Sequence, residues 1–351
     1  MPSGGISASL TAPLLSWYDA GHRDLPWRAE PTPYRVWVSE IMLQQTRVEA
    51  VRGYFSRWMK ALPTVHALAE APEDVYLKLW EGLGYYSRVR NLHRAAVELC
   101  ERFGGELPAD YDALLKLPGI GEYTAGAVAS IAFGLPVPAV DGNVLRVAAR
   151  VTDDRTPITD PKYKKAVRGQ LAAVMPGDRP GDLNQALMEL GATVCVPNGA
   201  PKCSECPLTH LCASFHHGTT GLVPVRSPKK ARRIERRTVL LVRCGSLVAL
   251  NKRPADGLLG GLWELPSLEG HLPPGKTRQL LESRGWQIQK LLSLRPAKHI
   301  FTHVEWHMNG YYIELGDAPE GLTLVTPSAL RVDYALPSAF RAFLTIIEDE
   351  V

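Results

Sequence analysis

Four of the six cysteines, Cys195, Cys203, Cys206 and Cys212, crowd into one short window spaced C-x7-C-x2-C-x5-C. Thiolates so close in sequence surround a compact metal centre at little loop-closure cost, and Pro197, Pro201 and Pro207 stiffen the path between them. A closed tetrahedral zinc site also takes four cysteines. Zinc ribbons, however, usually carry two C-x2-C pairs well apart. Here a single pair stands among crowded neighbours, which favours a 4Fe-4S cluster while leaving zinc as the rival. Cys100 and Cys244 lie in apolar surroundings and read as small buried residues.

The second chemical signal is LPGIGEYTAGAVASIAFG, Leu117 to Gly134. Gly119 and Gly121 permit a tight turn between two helices, and their amides, next to a helix start near Tyr123, suit a DNA phosphate held without reading sequence. An ordinary helix connection accounts for the same turn. A short apolar connector, LPVPAV, then leads to Asp141, Gly142 and Asn143 and into a further helix, VLRVAARV. Capping that helix is the commonest role for an Asp so placed.

These residues must be positioned by a helical framework. From about Ile6 to Leu211, segments such as YRVWVSEIMLQQT, DVYLKLWEGLG and SRVRNLHRAAVELCERF repeat apolar residues at three and four spacing, so residues 1–215 are expected to form an all-α domain containing the cysteine loop at 195–212. Residues 216–237, rich in Pro, Gly and basic side chains, read as a connector. Lys229, Lys230, Arg232, Arg233, Arg236 and Arg237 either meet DNA phosphates or form a solvated basic linker. Beyond it, TVLLVRC, LVALNKR and WQIQKLLSL read as strands, Asn309-Gly310 as a hairpin turn, and 277–283 and 338–347 as helices. Residues 238–351 are therefore expected to be α+β.

With 351 residues, 45% apolar and 22% charged, the chain is ordinary globular material, and its net charge of +4 permits a polyanionic partner without requiring one. The uncharged run Thr124–Val140 falls short of the roughly 20 residues of a membrane span and is broken by Gly134, Pro136 and Pro138. No membrane association is expected. The start MPSGGISASL lacks the basic and apolar regions of a signal peptide, so a reducing cytoplasmic setting beside the nucleoid is expected.

The glycine turn, the aspartate about twenty residues on and the cysteine array together resemble the helix-hairpin-helix DNA glycosylase superfamily, in its branch carrying an iron-sulfur cluster, over nearly the whole chain. Members that also cleave the strand have a lysine where Tyr123 stands; a phenol forms no Schiff base, so base removal alone is expected. VSEIMLQQTRV, Val38 to Val48, and WEGLGYYSRVRNL, Trp80 to Leu92, resemble the adenine glycosylase family. The resemblance implies a monomer acting on double-stranded DNA with adenine opposite 8-oxoguanine or guanine, and a 4Fe-4S cluster as cofactor.

It also implies roles. Glu40, in an apolar helix that should raise its pKa, gives a proton to N7 of adenine, and Asp141 stabilises the oxocarbenium ion; Tyr123 and Asn143 orient Asp141. Arg23, Leu25, Trp27 and Arg28 form the adenine pocket. Gln45 and Tyr85 intrude at the lesion pair, with Leu43 as a further candidate, although Tyr85 also suits plain packing.

The C-terminal part resembles a Nudix fold through GLLGGLWELP, Gly257 to Pro266. A Nudix hydrolase needs a dense set of acidic residues to hold magnesium, whereas in RQLLESRG only Glu282 and Arg278 fall where that motif would have them, so a recognition module is expected rather than a pyrophosphatase. Phe301, Thr302 and His303, in HIFTHVEW, are the expected contacts to oxidised guanine; relatives often carry serine at the place of Thr302. The first cysteine spacing is one residue longer than the usual six of the family. Two alternatives stand beside this reading: an endonuclease III-like glycosylase and lyase, opposed by Tyr123, and a noncatalytic iron-sulfur DNA-binding protein, in which Glu40 and Asp141 are dispensable.

Overall fold

The computed structural model describes residues 5–227 and 231–348, and the chain gathers into two compact units. The first comprises Met1–Glu70 with Arg90–Pro228, and the second Ala71–Val89 with Lys229–Val351. Among the described residues no helix is long and apolar enough to cross a membrane.

The first unit is helical. YRVWVSEIMLQQT folds as helix Pro33–Leu43, started by Pro33 in its first turn and by the Thr32 hydroxyl, which accepts from the amide of Arg35. Gly119 has φ +75°, and a Cβ there would lie 2.5 Å from Cβ of Asn91, so only glycine makes this turn into helix Glu122–Phe133. Asp141 caps helix Gly142–Thr152 through the amide of Val144. The connector before it is pinned by buried Asn184, which accepts from the amide of Ala139 and donates to the carbonyl of Val137.

Helix Gly142–Thr152 buries Val144, Val147 and Ala148 against Leu10, Leu14, Leu183, Leu187 and Leu190. Its two arginines are buried as well. Arg146 donates to the carbonyls of Gly191 and Cys195, and Arg150 to those of Val196 and Val223. These contacts satisfy irregular backbone that regular structure leaves unpaired, and they moor the cysteine segment to the helix. Helix Pro180–Thr193 approaches closely at Gly191, where a Cβ would lie 2.6 Å from Cβ of Asn143.

The second unit is built on a sheet: β1 (Arg233–Cys244), β2 (Leu247–Lys252), β3 (Trp263–Glu264), β4 (Ser267–Glu269), β5 (Ile288–Ile300), β6 (Val304–Leu315) and β7 (Thr323–Val325). The order is β3-β2-β1-β6-β5, with β4 on β1 and β7 on β2; β1 and β6 are parallel. Val239 and Leu241 face a core holding Trp306, Phe340 and Phe343, while Leu240 and Val242 face another holding Leu281, Tyr311 and Ile313. Burial on both faces explains why TVLLV shows no polar alternation. Helices Pro274–Glu282 and Arg341–Glu348 lie close to the expected places.

Asn309-Gly310 does not turn. Both residues lie within β6, paired with Thr238 and Val239 of β1, and the β5–β6 hairpin reverses at 301–303. Gly310 serves packing instead, because a Cβ there would lie 2.3 Å from the ring of Phe343.

Of the basic residues expected in the connector, Lys229 and Lys230 lie outside the described residues. Arg232 reaches the carbonyl of Phe301, Arg233 pairs with Glu235, and Arg237 pairs with Glu235 and lies 4.1 Å over the Trp306 ring. Much of that basic run is thus engaged within the sheet unit.

Candidate active site

A cavity of about 650 Å³ opens in the helical unit, and the expected chemistry converges on it. Glu40, Tyr123, Asp141 and Asn143 line it, together with Arg23, Leu25, Trp27 and Arg28, and Leu43, Gln45, Gly119 and Gly121. Residues far apart in sequence meet here because helices Pro33–Leu43 and Glu122–Phe133 pack together and helix Gly142–Thr152 begins beside them.

Glu40 is 5% exposed and accepts a hydrogen bond at Oε2 from the hydroxyl of Tyr123. Burial pushes its carboxyl from 4.5 up to about 7; the Tyr123 hydrogen bond opposes the rise, the Asp141 charge adds to it, and the Arg28 charge opposes it. Such a group is about half protonated at neutral pH and gives its proton up readily. The pairing corrects one expectation: Tyr123 serves Glu40 rather than Asp141, and its second neighbour is the sulfur of Met188 at 3.3 Å.

Asn143 does hold Asp141, its Nδ2 donating to Oδ2 at 2.7 Å, while Oδ1 accepts from the Val144 amide at 2.8 Å. Burial raises the Asp141 carboxyl; those two hydrogen bonds and the Arg146 charge hold it down. The cap and the cavity-lining carboxyl are one residue, since the same helix N-terminus that needs an acceptor also favours negative charge. A continuous chain runs onward: Arg146 Nη2 donates to Asn143 Oδ1 at 2.8 Å and its Nε to the Cys195 carbonyl at 2.8 Å.

The sequence did not flag the wall supplied by helix Pro180–Thr193, namely Gln185, Met188 and Glu189. Glu189 grips Arg23 with two hydrogen bonds of 2.6 and 2.9 Å and Arg28 with one of 2.9 Å. The signal was available, because an acid inside the apolar run LMELGA stands out by the argument applied to VSEIML.

Cys195, Cys203, Cys206 and Cys212 line a second cavity with Arg150 and Lys202. Arg150 Nη1 lies 3.2 Å from Sγ of Cys195. Among the described residues no three His, Cys, Asp or Glu side chains converge tightly on one ion position. Four thiols gathered around one cavity, with a guanidinium donating to one sulfur, suit the all-cysteine ligand set of an iron-sulfur cluster.

In the sheet unit, Phe301, Thr302 and His303 form the β5–β6 turn. The Phe301 ring packs edge-on to His299 and Trp306, and Thr302 and His303 are exposed. Tyr85, grouped in the same unit, is 44% exposed, has φ +49°, and its hydroxyl lies 2.6 Å from that of Thr302. Glu282 pairs with Arg278 at 3.1 Å on an exposed helix face.

Residues 38–171 match the HhH-GPD superfamily base excision DNA repair protein family, and residues 238–345 match the NUDIX domain family. The chain is 38% identical to an adenine DNA glycosylase of Mus musculus over 87% of this chain and 70% of that one. It is 33% identical to an adenine DNA glycosylase of Buchnera aphidicola over 86% and 84%. A solved structure of an endonuclease III–DNA covalent intermediate superposes with TM-score 0.51 and 26% identity, covering 61% of this chain and 99% of the other.

Proposed function

Because the chain belongs to the adenine DNA glycosylases, base-excision repair enzymes that bind DNA and cut the N-glycosidic bond, we propose that it removes adenine paired with 8-oxoguanine by hydrolysis alone, with Glu40 as acid and Asp141 as the countercharge. The observation that carries this is two carboxyls on the wall of a single cavity large enough for a purine, Glu40 raised to about 7 and Asp141 held by Asn143 and the Val144 amide.

Glu40 transfers its proton to N7 of the extruded adenine, the C1′–N9 bond breaks, and the bonding pair leaves with the base. Positive charge on the sugar is stabilised by Asp141, which Asn143 and the Val144 amide hold in place without needing to reorganise. Water adds at C1′ and its proton returns to Glu40, closing the balance. Arg23, Leu25, Trp27 and Arg28 enclose the base. The residues described along the cavity include no lysine, so no amine is at hand for a Schiff base, which supports hydrolysis without strand cleavage.

Cys195, Cys203, Cys206 and Cys212 would hold a 4Fe-4S cluster, which supplies a rigid cross-link for the loop they occupy. The sheet unit is assigned to recognition of the oxidised base, with Phe301, Thr302 and His303 presented at an exposed turn. Gln45 and Tyr85 fill the gap at the lesion pair.

The test is a duplex carrying adenine opposite 8-oxoguanine, scored separately for free adenine and for strand breaks without alkali. Release of adenine with intact strands is expected, and Glu40→Gln and Asp141→Asn should lose turnover while still binding the duplex. Turnover kept by both variants defeats the mechanism; strand breaks at the rate of base release favour the lyase alternative.

A further inference from the structure

Glu189 is 2% exposed in helix Pro180–Thr193, on the wall of the same cavity, with no part in the mechanism above. It takes Arg23 Nε at 2.6 Å, Arg23 Nη2 at 2.9 Å, Arg28 Nη2 at 2.9 Å and the Arg23 amide at 3.2 Å. Arg28 is fixed further by donating to the Arg23 carbonyl at 2.9 Å and by lying 5.5 Å over the Tyr18 ring. Three charge-assisted bonds to one buried carboxylate lock two flexible side chains into the cavity wall.

The grip has an electrostatic consequence. Two uncompensated guanidinium charges at the wall of the cavity favour the anion of any nearby acid. The groups facing Glu40 are Tyr123 from helix Glu122–Phe133, Asp141 at the start of helix Gly142–Thr152, and Arg28 from helix Pro26–Ala29. Arg28 already acts to strip the Glu40 proton, and Arg23 lines the same cavity.

We propose that Glu189 is a positioning residue that fixes Arg23 and Arg28 and, by neutralising them, keeps the proton on Glu40 that the reaction consumes. The inference rests on Glu40 acting as the acid. Glu189 itself stays ionised: burial works to raise its carboxyl, but the Arg23 hydrogen bonds and the Arg28 charge outweigh that and hold it at about 2. The anion is therefore present across the working pH range. Sequence pattern cannot show this, because the partners lie 161 and 166 positions away.

The experiment is the pH profile of single-turnover adenine release by the holoprotein on the 8-oxoguanine duplex. Glu189→Gln keeps the shape and removes the charge, so the alkaline fall in rate should move about one pH unit toward acid, a loss of about tenfold at pH 8 and much less at pH 5.5. Arg23→Gln, which leaves Glu189 with one cation, should move the fall the other way. A merely structural role lowers the whole curve without moving it, and unmoved curves in both variants overturn the proposal. Should Glu189→Gln not fold, the direction of the Arg23→Gln shift alone decides. Wild-type protein that releases no adenine at any pH refutes the proposed function instead, which keeps the two failures apart.

Discussion

The hydroxyl of Tyr123 donates to Oε2 of Glu40, so one carboxyl oxygen is committed to the protein and Oε1 is left to carry a proton. A donor to a carboxylate stabilises the anion, so this bond restrains the rise that burial imposes on Glu40. Tyr123→Phe should therefore raise the pKa of Glu40 further. The alkaline fall of the single-turnover rate is expected to move up by about half to one pH unit, with a loss of about three- to tenfold at pH 6 from looser positioning. A fall that moves toward acid contradicts the pairing.

The same burial makes a stability prediction. Glu40 titrates near 7 in the folded chain and near 4.5 when unfolded, so its contribution is fully present below about 4.5 and is lost as pH rises through 7. Between those limits the wild-type chain should lose about 3 kcal/mol relative to Glu40→Gln, with no further change above. Urea unfolding of both chains at pH 4.5, 6 and 8 checks this. Equal stabilities at all three values would mean that Glu40 is solvated.

How much of this was legible beforehand depended on whether the physics was local. Glu40 showed itself as a carboxylate in an apolar helix, and Asp141 as an Asp before a helical run; both judgements need only a few neighbouring residues. The partner of Tyr123 was misassigned because the choice between two carboxyls is decided by ångströms of helix packing, which spacing does not encode. Glu189 stands out as an acid in an apolar run, but its partners do not, because Arg28 and Arg23 lie 161 and 166 positions away in sequence. Asn309-Gly310 misled because a glycine that relieves crowding under Phe343 looks, in sequence, like a glycine that turns. The grouping of Ala71–Val89 with the sheet unit had no local signature at all.

On the proposed mechanism Asp141 joins a chemical duty to its structural one as a helix cap, and substitutions separate them. Asn caps a helix as well as Asp, so Asp141→Asn should keep the wild-type unfolding free energy within about 0.5 kcal/mol, whereas Asp141→Ala should cost about 1 to 2 kcal/mol. Both remove the negative charge facing the sugar, so both should slow single-turnover release by about a hundredfold or more. Thermal unfolding run beside the rate assay distinguishes the duties. An active Asp141→Asn enzyme would confine Asp141 to capping.

Gln45 is exposed at the rim of the cavity with φ +58°, a conformation that costs a residue bearing a Cβ about 1 kcal/mol. Glycine adopts that backbone freely, although it also gains freedom in the unfolded chain, so Gln45→Gly should change stability by between zero and about 1 kcal/mol in the favourable direction. What it removes is the side chain assigned to fill the gap left by the extruded base. Duplex affinity for the mismatch should weaken and single-turnover release should slow by about tenfold, the value of roughly one lost polar contact to DNA. Denaturation and excision measured on the same preparation give the answer. A variant that gains stability and keeps full activity would show that the left-handed turn, rather than the glutamine side chain, is what this position supplies.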